Sequence, residues 1–110
     1  MLVGRLVLVG LSLLMVDAAR AETPGDTGKG LVYARSQCAE CHAVLAAERN
    51  SPRSGLATFK TIANTPGMTG TALAVWLQTP HKTMPNLMVG IEDRDNLIAY
   101  IISLRDEPAR

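Results

Sequence analysis

Residues 38–42 read Cys38-Ala39-Glu40-Cys41-His42, and they hold both cysteines of the chain. Two thiols three positions apart can grip two points of one ligand, and an imidazole follows the second thiol directly. This is the Cys-x-x-Cys-His pattern of covalent c-type haem attachment. Each thiol can form a thioether with one haem vinyl group, and the histidine can reach the iron as its proximal axial base. Three other chemistries use such residues. A structural disulfide suits an exported chain but gives His42 no task. A thioredoxin-like thiol pair belongs beside a strand–helix–strand pattern, and no run of alternating strands is legible here. Zinc would call for a cysteine pair followed by a separated histidine pair, whereas His42 abuts the cysteines and His81 lies far downstream. Covalent haem is the reading that accounts for the spacing of all three side chains.

The start of the chain points to export. Residues 1–21 read as a secretory signal peptide, with Arg5 as its positive charge and an apolar stretch from Leu6 to Val16. Ala19-Arg20-Ala21 is an A-x-A cleavage site, so the mature chain is expected to begin at Glu22. The uncharged stretch between Arg5 and Asp17 is shorter than the roughly 20 apolar residues of a spanning helix. No cysteine near the cleavage site offers a point for lipid attachment. The expected division is therefore a signal peptide at 1–21 and one domain at 22–110.

Without the leader, nine basic and nine acidic residues remain. That balance gives no basic face for nucleic acid. The domain has one Phe, one Trp and two Tyr, and domains this small have marginal cores. A haem macrocycle would supply the missing apolar centre, so the cofactor-free chain is expected to fold poorly.

The remaining pattern is helical, without repeats or low-complexity tracts. A helix is predicted over 27–37, capped by Asp26, with Leu31, Ala34 and Cys38 on one face. Gly28 and Gly30 are costly inside a helix, and one of them is expected to permit close helix contact. A turn-rich loop covers Asn50 to Gly55. A short helix is predicted over 56–63 with Phe59 and Ile62 inward, and Asn64-Thr65-Pro66-Gly67 breaks it. A third helix is predicted over 71–78, capped by Thr69 or Thr71, with Leu73, Trp76 and Leu77 as its apolar face. The last covers 93–104, with Leu97, Ile101 and Leu104 on one face and Ile98 and Ile102 beside them. Glu92, Asp93 and Asp95 at its start and Arg105 at its end suit the helix dipole.

A second axial ligand would come from Met68, Met84, Met88 or His81. Methionine with histidine raises the haem potential, as electron-transfer proteins need. Met84 is favoured, because it sits in a loop before the last helix and Pro85 stiffens its backbone. Met68 reads as packing, Met88 as a loop plug, and His81 as a loop hydrogen-bonding residue.

Taken in order, Gly30, the motif at 38–42, Pro52, Trp76, the His81-Lys82-Thr83-Met84-Pro85-Asn86 loop and the Leu97–Ile101 run resemble a small class I monohaem cytochrome c. The resemblance covers nearly all of 26–105. It implies an all-α fold of three to five helices wrapped around one covalent haem, with N- and C-terminal helices crossing at Gly30 and Tyr100 packing nearby. It implies thioethers at Cys38 and Cys41, and His42 and Met84 as iron ligands. It also implies a loop at Pro52 whose carbonyl accepts from His42 Nδ1–H, and haem packing by Trp76, with Arg53 as a further propionate contact. The family often has an aromatic residue four positions before the first cysteine. Ala34 stands there instead, with Tyr33 before it.

The expected function is that of a periplasmic single-electron carrier and not an enzyme, alone or in transient complexes with redox protein partners. No membrane span remains after cleavage. Residues 22–91 carry six basic and four acidic groups, and 92–110 three basic and five acidic, a distribution that would suit a mildly acidic partner. Alternatives are a haem c subunit of a larger dehydrogenase or oxidase complex, and a gas- or peroxide-binding haem protein. A thiol oxidoreductase is a more distant one.

Overall fold

A computed structural model describes residues 24–80, 84 and 88–106. The expected signal peptide at 1–21 lies outside the described residues, as do His81, Lys82, Pro85 and Asn86. Within the described residues the secondary structure is all helical, without strands: α1 (Thr27–Gln37), α2 (Phe59–Ala63), α3 (Gly70–Gln78) and α4 (Ile91–Ser103).

Helix α1 begins as its sequence dictates. The Asp26 carboxylate accepts from Lys29 N–H at 2.8 Å, which satisfies one of the orphan donors of the first turn. Helix α2 is shorter than expected. Thr58 is its N-cap, with extended backbone and Oγ1 accepting from Thr61 N–H at 3.1 Å, so residues 56–58 lead in as an extended segment. Thr69, of the two expected candidates, caps α3, and its Oγ1 accepts from Ala72 N–H. Gly67 turns the chain between α2 and α3 at φ +78°, a left-handed conformation that glycine adopts without steric cost.

Helix α4 starts two residues earlier than its apolar pattern suggests, after Gly90. Glu92 and Asp93 fall in its first turn, beside the exposed N–H groups. Arg105 lies past its end and does a different job from the expected one. Its guanidinium donates to the carbonyls of Ala63 and Met68. Asn64 adds to this clasp, donating to Leu104 O at 3.3 Å and accepting from Asp106 N–H at 2.9 Å.

The interior of α4 is buried more fully than one apolar face would allow, because it has two working sides. Residues 96 to 101 are all buried. Asn96 and Tyr100, four residues apart, meet α1 at Gly30. A Cβ at Gly30 would lie 2.0 Å from Asn96 O and 2.7 Å from Tyr100 Cβ, so only glycine lets the helices approach this closely. Gly28 has no such neighbour: its Cβ would meet only the Asp26 carboxylate, at 3.3 Å. Asn96 also accepts from Asp26 N–H at 2.8 Å, which locks the start of α1 onto α4. The other stripe, Leu97 and Ile101, joins Ala34, Phe59, Ala63 and Leu73 in the core.

Candidate functional site

The 38–42 segment leaves α1 in a tight turn. His42 N–H donates to Cys38 O at 2.9 Å, and Cys41 N–H to the same carbonyl at 3.2 Å. This wraps Cys38, Cys41 and His42 around one end of a cavity of about 370 Å³. That volume falls in the usual range for small-molecule and cofactor sites. Helices α2, α3 and α4 each contribute residues at three- or four-residue spacing. Phe59 and Ile62 come from α2, Leu73, Trp76 and Leu77 from α3, and Leu97 and Ile101 from α4. Met68 and Met84 complete the apolar lining, and Gln37, Glu40 and Arg53 supply polar groups.

His42 is held from two sides. Its Nδ1 lies 2.7 Å from Ala57 O, the geometry of a donated hydrogen bond, which leaves Nε2 as the ring nitrogen for a ligand. Its ring sits 5.7 Å from that of Phe59, tilted by 44°. The accepting carbonyl therefore belongs to Ala57 and not to a residue adjoining Pro52, which is exposed five positions upstream. The reason is local. Ala57 is in the extended lead-in to α2, and Phe59 N–H donates to Ala43 O at 2.9 Å, drawing that lead-in alongside His42. The loop carrying Pro52 is tied in through Ser51, whose Oγ accepts from Ala43 N–H at 3.0 Å and donates to Ala57 O at 3.3 Å. From α4, Tyr100 Oη donates to Val44 O, fixing the chain just after the motif.

The residues singled out in sequence separate here. Cys38, Cys41, His42, Trp76 and Met84 all line the cavity, and Pro52 does not. Trp76 is 53% exposed, so it is a wall with one side in solvent and not a core residue. Met88 is 94% exposed, whereas Met68 packs against the core and lines the cavity as well. Sequence reasoning missed Ala57 and Ser51. A backbone acceptor has no side-chain signature, and a serine in a turn-rich loop reads as a turn residue.

The chemistry of these groups fits covalent haem. Cys38 and Cys41 remain separate thiols, and burial pushes the Cys38 thiol up to about 11. That runs against Cys38 as a reactive thiolate, which would need a lowered value. Among the described residues no three His, Cys, Asp or Glu side chains converge on a metal-binding point. What remains is an apolar cavity with two thiols and an oriented imidazole at its edge and two thioethers, Met68 and Met84, in its lining.

Comparison with known proteins agrees. The chain is 30% identical over 95 residues to cytochrome c-552 of Bradyrhizobium diazoefficiens, an alignment covering 86% of this chain and 90% of that protein. No protein-family model matches the chain, and no solved structure does. The chain belongs to the small c-type cytochromes. Its architecture is the all-helical cytochrome c fold, and its cofactor is a covalently bound haem c. It is a haem c electron carrier.

Proposed function

We propose that this cytochrome carries single electrons between redox proteins in the periplasm, with His42 and Met84 as the two axial ligands of its iron. In this reading residues 1–21 direct export and are removed, and Cys38 and Cys41 form the thioethers. Bound haem supplies a one-electron Fe(III)/Fe(II) couple. Everything else is the work of the chain. Ala57 O fixes the His42 ring and its tautomer, so that Nε2 is presented to the iron. The Met84 thioether, a soft ligand, favours the reduced state and raises the potential. Leu73, Leu97 and Ile101 keep the site apolar, which penalises the more charged oxidised state in the same direction. Trp76 closes one wall while reaching solvent, which suits a site that passes electrons to a docked partner. With His42 and Met84 both holding the iron, no substrate would need to bind it. Among the described residues no helix is long and apolar enough to cross a membrane.

The observation that carries this reading is that His42 and Met84 line one apolar cavity. Visible and near-infrared spectra of the haem-loaded protein test it, with wild type set against Met84→Ala. The expected result is a low-spin c-type spectrum with a weak far-red sulfur-to-iron band that the substitution abolishes. A band unaffected by the substitution would move the ligand to another residue. A five-coordinate wild-type spectrum would favour gas or peroxide binding instead.

A further inference from the structure

One hydroxyl brackets the proximal histidine. Ser51 Oγ accepts from Ala43 N–H at 3.0 Å, and Ala43 is the residue directly after His42. The same oxygen donates to Ala57 O at 3.3 Å, the carbonyl that faces His42 Nδ1 at 2.7 Å. A carbonyl oxygen has two lone pairs and a hydroxyl both donates and accepts, so all three bonds can be made at once. Ala43 is fully buried, and its own carbonyl is taken by Phe59 N–H at 2.9 Å. Ser51 is thus the side chain that ties the backbone at His42 to the backbone carrying its acceptor.

We propose that Ser51 is a positioning residue that holds Ala57 O against His42 Nδ1–H and thereby sets the haem potential and the orientation of the proximal ring. This deepens the ligand role proposed for His42 and rests on it. The physical chain is short. A firm Nδ1–H···O=C bond makes an imidazole ligand more electron-rich, and an electron-rich ligand favours Fe(III). Two effects of Ser51 oppose each other. As a second donor to Ala57 O it competes with His42, and as an acceptor from Ala43 N–H it anchors the loop. The contact to Ala57 is the longer of the two, at 3.3 Å against 3.0 Å, so anchoring wins. Loss of the hydroxyl therefore loosens the His42 bond and raises the potential.

The test compares wild type, Ser51→Ala, Ser51→Thr and Ser51→Val as haem-loaded proteins. Redox titration is expected to show the Ala and Val forms shifted toward Fe(II) by a factor of roughly three to ten, where tenfold is 59 mV for one electron. Thr keeps the hydroxyl and is expected to restore the wild-type value. NMR exchange of the His42 Nδ1 proton is expected to quicken with the loss of the hydroxyl, a readout that a purely structural serine would leave alone. An unchanged or lowered potential in the Ala and Val forms would overturn the proposal. Should those forms fail to take up haem, hydrogen exchange in the wild type decides. The Ala43 amide and the His42 Nδ1 proton are expected to be protected together and to open together. An unprotected Ala43 amide would overturn the proposal. The far-red band in each form keeps the two readings apart. A band that persists with an unmoved potential defeats the role of Ser51 alone, whereas a wild type without low-spin histidine ligation defeats the parent reading.

Discussion

Helix α4 carries two stripes, one residue apart, that are held by different physics. On the stripe of Asn96 and Tyr100, protein meets protein. Gly30 lets α1 approach until backbone touches backbone, and Asn96 receives the Asp26 N–H. On the stripe of Leu97 and Ile101, the side chains face a cavity whose other walls are Phe59, Ile62, Leu73 and Leu77. The crossing is complete within the chain. The cavity side packs in part within the chain, and haem would supply the dispersion contacts for the apolar groups that face the cavity. A domain with so few large side chains thus places its own close packing at the crossing and leaves the centre of its core to the cofactor.

The largest effect should come from withholding the cofactor. Hydrogen exchange on a Cys38→Ala/Cys41→Ala chain, which has no thioether anchor, is expected to show protection lost throughout α2 and α3. Whatever protection survives should be confined to α1 and α4. A compact cofactor-free form that melts in one cooperative step would break the comparison. The next effect lies at the crossing itself. Gly30→Ala puts a methyl group 2.0 Å from Asn96 O, and overpacking against backbone costs roughly 2–4 kcal/mol. Gly28→Ala, by contrast, should be neutral or gain up to about 1 kcal/mol from helix propensity. Chemical denaturation of the two haem-loaded variants gives both values, and equal effects would remove the special role of Gly30.

A smaller effect sharpens the comparison at Tyr100, which touches both regions. Tyr100→Phe leaves the Val44 carbonyl without its donor, at a cost of about 1–2 kcal/mol. It should also change the alkaline limb of stability. Burial raises the Tyr100 pKa above 10.0 in the fold, so its contribution is present below pH 10 and falls as the unfolded chain ionises above it. Denaturation against pH is expected to fall less steeply above pH 10 in the Phe variant. Some of the fall should remain, because Tyr33 is shifted in the same direction, again chiefly by burial.

The sequence made the crossing legible and half of the cavity. Asp26, the 27–37 helix and the apolar run of α4 are local signals, since caps and 3.6-residue periods are properties of neighbouring residues. Cys38, Cys41 and His42 are legible because haem attachment needs them adjacent. The rest depends on tertiary geometry. Nothing local says that Ala57, fifteen residues after His42, brings its carbonyl to the ring, and Pro52 drew attention because the family resemblance places the orienting loop at a proline after the motif. Arg105 suits a helix dipole by position, yet its side chain spans to Ala63 and Met68, carbonyls known only once α4 is packed. Trp76 reads as core by its apolar spacing, but α3 lies at the margin of a small domain and exposes Val75 and much of Trp76.

The central claim is the proposal that Met84, together with His42, would hold the haem iron. Proton NMR of the reduced, haem-loaded protein tests it most directly, because a methyl group held over the haem face is shifted far upfield by the ring current. Such a signal is expected in wild type, in Met68→Ala and in Met88→Ala, and absent from Met84→Ala. A signal that survives Met84→Ala and vanishes with Met68→Ala would contradict the account, since it would put the ligand in the turn between α2 and α3 instead of between α3 and α4.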